Sequence, residues 1–248
     1  MIRLGIDVGG TNTDAVLTSG GRILGAVKTP TTEDVTSGIL TAMRSVLTGA
    51  TSTVGAVMIG TTHFVNAVVQ RDHLAPVAAI RIGLPATEGI LPFTDWPRDL
   101  AAEAMAGTWL VEGGHDYDGR RFMPLDKSSV RAAAREIRAR GLSQVAVTAM
   151  FSPLTDEDEM AVAKIVQDAV PGVSLTCSHM LGGIGLLERE NAAILNAAII
   201  PLAHATIRGF ERAMREAGIE APLYITQNDG TVAAADHAAR FPVFSFAS

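Results

Sequence analysis

The chain has 248 residues, 48% of them hydrophobic and 19% charged, with a mean hydropathy of +0.26 and a formal net charge of −6. That is enough apolar material for a sizeable core, in one large domain or two smaller ones. The acidic balance, the lack of a dense Lys/Arg block and an aromatic content of 5% argue against a nucleic-acid surface.

A single cysteine, Cys177, excludes an internal disulfide and any multi-cysteine metal site. No apolar segment follows a basic start ahead of Asp7, and no run approaches the roughly 20 apolar residues of a membrane helix. The expectation is a cytoplasmic protein that engages neither membrane nor nucleic acid.

In chain order, Ile2–Val8, Ala15–Thr18 and Arg22–Lys28 read as three short strands, with Gly20-Gly21 as the turn between the last two. Val35, Ile39, Met43 and Val46 recur at helical spacing, and Gly49 stands beyond them as a stop signal. Gly55–Gly60 is a wholly apolar strand, Thr61–Gln70 a helix leaving its end, and Ala75–Ile82 another buried strand. The opening third therefore runs β-β-β-α-β-α-β. This predicts an α/β protein with a ribonuclease-H-like mixed sheet, as in the actin and sugar-kinase fold, and an inserted α+β portion.

Residues 83–125 are less regular. "LPATEGILPFTDWP" reads as a loop reaching over a pocket, and Asp118-Gly119 as a hairpin turn. Asp126 is expected to cap a helix with Val130, Ala134 and Ile137 inside and Gly141 beyond its end. Gln144–Met150 is a buried strand; Thr155 is expected to cap the next helix, whose first turn holds Asp156, Glu157, Asp158 and Glu159. After a strand at Val173–Cys177 come two helical stretches, Leu186–Ile199 and Leu202–Ala217, and a last strand at Leu223–Gln227.

"LGIDVGGTNTDAVL" places Asp7 at the carboxyl end of a strand, where ligands of α/β sheets bind. Gly9 and Gly10 let a backbone approach an anion closely, and Thr11, Asn12 and Thr13 add side-chain donors. An acid beside phosphates requires a cation, so Asp7 points to Mg²⁺ held through water. No P-loop is present, and in "LGGIGLLE" Glu188 stands where a dinucleotide-binding loop has its third glycine. "GTTHFVNAVVQR" is a second candidate. There Gly60, Thr61 and Thr62 lead from strand to helix, and His63 and Asn66 share its first turn. Glu188 and Arg189 read as a structural pair on an apolar helix, Asp229-Gly230 as a turn, and Cys177 as core.

These stretches, followed in order by "HDYDGRRFMPLD", "AMFSPLTDEDE", "SHMLGGIGLLERENAAILNAAIIP" and "LYITQNDGTV", resemble the hydantoinase/oxoprolinase family, which also includes acetone carboxylase subunits. The resemblance covers almost the whole chain. It divides the chain into an N-terminal-like region over 1–178 and the start of the following domain over 179–248. It implies an ATP- and Mg²⁺-dependent hydrolase of cyclic amides, in which phosphorylation of a ring amide oxygen prepares the ring for attack by water. A small cyclic amide, a second subunit and a further copy of the chain are the partners it implies. Carried over by position, Asp7 serves the metal, and Gly9, Gly10, Thr11, Asn12 and Thr13 the phosphates. Thr61 and Thr62 lie near the transferred phosphoryl group, and His63 and Asn66 face the substrate.

The sequence departs from the family at Asn12, where an aromatic is common, and in "RIGLPATEGILPFTDWP", where a Thr-rich loop is usual. Only one DxGGT occurs. The family's second phosphate loop would lie beyond "FPVFSFAS", so the chain reads as an N-terminal lobe with little turnover of its own. A sugar-kinase-like phosphotransferase and a non-catalytic actin-like binding module are the alternatives.

Overall fold

The computed structural model describes residues 1–31, 35–48 and 53–246, Val35 by its backbone alone. In chain order the first elements are β1 (Ile2–Val8), β2 (Asn12–Ser19), β3 (Arg22–Pro30), α1 (Val35–Leu47), β4 (Val54–Thr61) and α2 (His63–Gln70). Next come β5 (Val77–Leu84), α3 (Arg98–Ala104), β6 (Met105–Glu112), α4 (Lys127–Ala139), β7 (Gln144–Ala149), α5 (Glu157–Ala169) and β8 (Ser174–Cys177). The last are α6 (Leu186–Glu216), β9 (Leu223–Thr226), β10 (Val232–Ala234) and α7 (Ala235–Arg240). The expected helix stop at Gly49 lies outside the described residues.

Two compact units result, Met1–Gln70 with Ile200–Ser248, and Arg71–Ile199. The discontinuous unit is built on a six-stranded sheet of order β10-β9-β4-β1-β2-β3. β1, β2 and β3 form an antiparallel meander, while β4 runs parallel to β1 and β9 parallel to β4. This is the ribonuclease-H-like mixed sheet that the alternation of elements predicts. Gly20 and Gly21, at φ +55° and +77°, supply the left-handed pair that a two-residue hairpin turn requires. β4 is buried along most of its length because it lies between two parallel neighbours. Ile39, Ala42, Met43 and Val46 of α1 pack with Leu4, Ile6 and Ile59 of the sheet in one core.

The contiguous unit carries a four-stranded sheet, order β6-β5-β7-β8, parallel throughout. Its core joins Ile80, Ile82, Val145 and Val147 to Val130 and Ile137 of α4 and Val162 and Val166 of α5. The side chain of Asp126 caps α4 by accepting from the amides of Ser128 and Ser129. At the other end the amides of Gly141 and Leu142 bond to the carbonyls of Arg138 and Ile137, the paired closure that a left-handed glycine permits.

Three expectations are corrected. Residues 83–125 contain α3 and β6, whose signals are weak because α3 has seven residues and β6 is an edge strand with a mostly half-exposed face. The two helical stretches after Cys177 are one helix, α6, that runs through Pro201. A proline removes one helical hydrogen bond, but Ala197, Ala198, Ile199, Ile200 and Ala203 around it are all buried, and that packing carries the helix through. By length and composition α6 is also apolar enough to cross a bilayer, which the sequence reading missed; 61% of that stretch is buried inside the protein. Finally, Thr155 does not cap α5: Asp156 holds the cap position without a side-chain bond, and Glu159 turns inward to other partners.

Candidate functional site

The carboxyl ends of the parallel strands β1, β4 and β9 meet in the discontinuous unit. Asp7 is registered against Gly60 on β4 and against Asp14 on β2, and Asp14 in turn against Lys28 on β3. Directly opposed residues share a sheet face, so Asp7, Gly60, Asp14 and Lys28 form one row. Thr226 joins it from β9. A β-carbon built on Gly60 would lie 3.1 Å from Thr226 Oγ1 and 3.5 Å from Asp7 Oδ1.

Charge along this row is unevenly settled. Asp14 is paired with Lys28 at 3.2 Å. Asp7 is exposed and, among the described residues, its carboxylate has neither an ion pair nor a hydrogen bond. Like charges placed opposite one another on a sheet repel, so the row favours a cation at Asp7. Asp14 was not among the residues expected at the site. Its signal was available, since the last acid of "DVGGTNTD" lands opposite the first once the hairpin is drawn.

The glycine loop divides into an inner and an outer part. The Gly9 amide donates to Asn12 O (3.0 Å), and Thr31 Oγ1 donates to Gly9 O (2.8 Å). Thr13 is buried, its hydroxyl 3.2 Å from that of Thr31. These groups fix the loop from within. Gly10 and Thr11 are exposed, and their amides make no hydrogen bond among the described residues. A side chain at Gly10 would meet nothing within 4 Å. Asn12 is half-buried at the start of β2.

At the end of β4, Thr61 is fully buried and its Oγ1 accepts from the His63 amide at 3.1 Å. Thr62 O accepts the first helical bond of α2 from the Asn66 amide, and Asn66 Nδ2 approaches Thr62 Oγ1 at 3.4 Å. Thr61, Thr62, His63 and Asn66 are thus brought together in one helix start beside Gly60. Past Thr226, the turn to β10 is closed by Gly230 at φ +81° and by bonds between Gln227 and Thr231. Asp229 accepts from the hydroxyl and amide of Thr231, which hold its carboxyl below the usual range. That is the turn expected from Asp229-Gly230. A groove of about 460 Å³ lies at the opposite end of β9, beside Pro222 and Leu223, away from Asp7.

The contiguous unit holds a second polar cluster. Arg81 and Glu190, both almost wholly buried, form a two-pronged pair, and Arg81 also donates to Ile90 O. Glu159 accepts from the Ala149 amide, Ser178 Oγ, the His179 amide and His179 Nδ1. Burial alone would raise the Glu159 carboxyl, but the bonds from His179 and Ser178 outweigh it and hold it below its ordinary value. The same bond raises His179. Arg189, lowered by burial, donates to Ser178 Oγ and to the carbonyls of Ala149, Gly183, Ile184 and Gly185. The expected pairing of Glu188 with Arg189 is therefore corrected. Glu188 is exposed, Arg189 is held by Ser178 and backbone carbonyls, and Glu190 binds Arg81. Glu159, Cys177 and His179 present ligand atoms within 4.8 Å of one another. The four hydrogen bonds on Glu159 and the neighbouring guanidinium already satisfy the cluster without a cation.

Comparison with known proteins decides the family. The model of the hydantoinase/oxoprolinase N-terminal region matches residues 3–170, and that of hydantoinase/oxoprolinase matches 189–248. The chain belongs to the hydantoinase/oxoprolinase family. The alpha subunit of caprolactamase from Pseudomonas jessenii is 24% identical over 265 residues, spanning 93% of this chain and 36% of that protein. A crystal structure of the ATP-dependent caprolactamase superposes with a TM-score of 0.75 at 22% identity, over 94% of this chain and 36% of that one. Nucleotide-free acetone carboxylase, from a study of ATP-dependent acetone carboxylation, gives 0.79 at 19% identity, over 99% and 38%. The chain thus spans less than two fifths of the family members it matches. Both likenesses bear on the fold, an α/β architecture with one mixed and one parallel sheet.

Proposed function

We propose that this chain is the N-terminal lobe of an ATP-dependent hydrolase of cyclic amides, and that its glycine loop receives the nucleotide phosphates. Family membership and the ATP dependence named for the caprolactamase relative support the reaction class. The observation that carries the reading is Asp7: an exposed, unpaired carboxylate at a strand's carboxyl end, next to the free amides of Gly10 and Thr11. Such a set suits Mg²⁺ bound through water together with an anion. The open space at Gly10 and the absent β-carbon at Gly60 leave room for both.

In this reading Asp7 orients the shell of the cation, and Gly10, Thr11 and Asn12 donate to phosphate oxygens. Gly9 and Thr13 hold the loop in shape from within. Thr61 and Thr62 stand by the transferred group, and His63 and Asn66 are offered to the ring substrate. ATP with Mg²⁺ would supply a phosphoryl group to the ring amide oxygen and so make the amide carbon electrophilic; water adds there, the C–N bond breaks with its electron pair and a proton going to nitrogen, and a second water releases the acyl-bound phosphate as orthophosphate. A partner subunit, as the name of the caprolactamase alpha subunit indicates for that protein, and a region beyond this lobe complete the enzyme. The lobe alone turns over little or no substrate.

Calorimetric titration with ATP·Mg²⁺ tests the assignment. Weak binding to this chain, abolished in Asp7→Asn, is the expected result. Equal binding by both proteins, or none by either, overturns it.

A further inference from the structure

Thr226 ends β9 with its Oγ1 fully enclosed and, among the described residues, without a hydrogen-bond partner. Enclosed hydroxyls in folded proteins are paired as a rule, with protein, water or an ion. This one borders the same small space beside Gly60 that Asp7 borders: the same absent β-carbon lies 3.1 Å from Thr226 Oγ1 and 3.5 Å from Asp7 Oδ1. A residue that merely filled the sheet at this position would serve equally well as valine, which also favours strands. The hydroxyl instead stands beside the same glycine as the one carboxylate of the row that nothing neutralises.

We infer that Thr226 is a positioning residue for a divalent cation at Asp7. As the cation binds, the hydroxyl leaves its enclosure to pair with a water in the cation's shell, and Gly60 is glycine so that the two oxygens can share that water. Mg²⁺ keeps several of its waters and takes few protein ligands, so groups that hold those waters set its position. The inference rests on the nucleotide reading of Asp7 and adds a second residue, from a strand far along the chain, to the same site.

Mn²⁺ in place of Mg²⁺ provides the test, the free ion being counted by electron paramagnetic resonance with and without ATP. The proteins are the unaltered chain, Thr226→Val, Thr226→Ser, Gly60→Ala and Asp7→Asn, each with its thermal midpoint recorded. Thr226→Val is expected to weaken Mn²⁺ binding about tenfold or more, as loss of a partner behind a metal ligand does, with a thermal midpoint unchanged or raised. Thr226→Ser is expected to keep the affinity, and Gly60→Ala to lose it. Should Thr226→Val bind Mn²⁺ as the unaltered chain does while Asp7→Asn does not, the role of Thr226 falls and the Asp7 site stands. A loss of affinity that tracks a fall in thermal midpoint and is not restored by serine makes the hydroxyl structural and also overturns the inference. If the unaltered chain and Asp7→Asn bind alike, both readings fall.

Discussion

The two sheets treat their charged groups in opposite ways. In the contiguous unit every charge that goes inside finds its counterpart there: Arg81 on Glu190, Glu159 on His179 and Ser178, Arg189 on Ser178 and four carbonyls. In the discontinuous unit the carboxyl ends of three parallel strands leave the Asp7 carboxylate, two loop amides and Thr226 Oγ1 without partners among the described residues. A saturated network holds its segments together and has nothing left to offer a ligand. An unsaturated one is tolerable where water or a ligand completes it. On the proposed reading, wealth of buried charge is the poorer guide to a binding site here, and the sparser row is the better one.

The largest expected effect lies in the saturated network. Arg81→Met leaves Glu190 charged and buried, and should destabilise the protein by about 3–5 kcal/mol, read by urea unfolding. Adding Glu190→Leu should recover much of that loss; a double variant no better than the single one would mean that the pair does not act as a unit.

A smaller effect follows pH. His179 is held above its ordinary 6.5, so its contribution is complete below that value and is lost as pH rises through its folded value. Glu159 lies below its ordinary 4.5, so its share is complete above that value and is lost as pH falls through its folded value. Urea midpoints should accordingly be highest between the two and decline on both sides. In His179→Asn the decline toward alkaline pH should vanish, and parallel curves for the two proteins would remove His179 from the account.

The smallest effect sharpens the contrast from the other side. Asp7→Asn relieves the repulsion from Asp14 and breaks no bond within the protein, so unfolding free energy should stay within about 0.5 kcal/mol or rise slightly. A large loss would place Asp7 among the structural residues after all.

Legibility in the sequence followed the range of the interactions. The hairpin at Gly20-Gly21, the cap at Asp126 and the turn at Asp229-Gly230 depend on neighbours a few residues apart, and their residue types announce them. The glycine loop was legible as a motif, but its division into inner Gly9 and Thr13 and outer Gly10 and Thr11 depends on Thr31 arriving from the end of β3. Asp14, Glu190 and Thr226 were missed because their meaning is set across strands or by Arg81, distant in sequence. Pro201 misled for the converse reason: a local rule was overridden by the buried flanks of α6.

The pairing of β4 with β9, from Val57 to Leu223, has a consequence for how the chain reaches its native state. The whole contiguous unit is synthesised between those partners, and it can fold while the mixed sheet still lacks its third parallel strand. Contacts so far apart in sequence are slow to form, because a long loop must close before they contribute anything. On the ribosome, then, β1 to β4 emerge with an open edge that waits for β9, and the row that ends in Thr226 is among the last parts of the protein to be assembled.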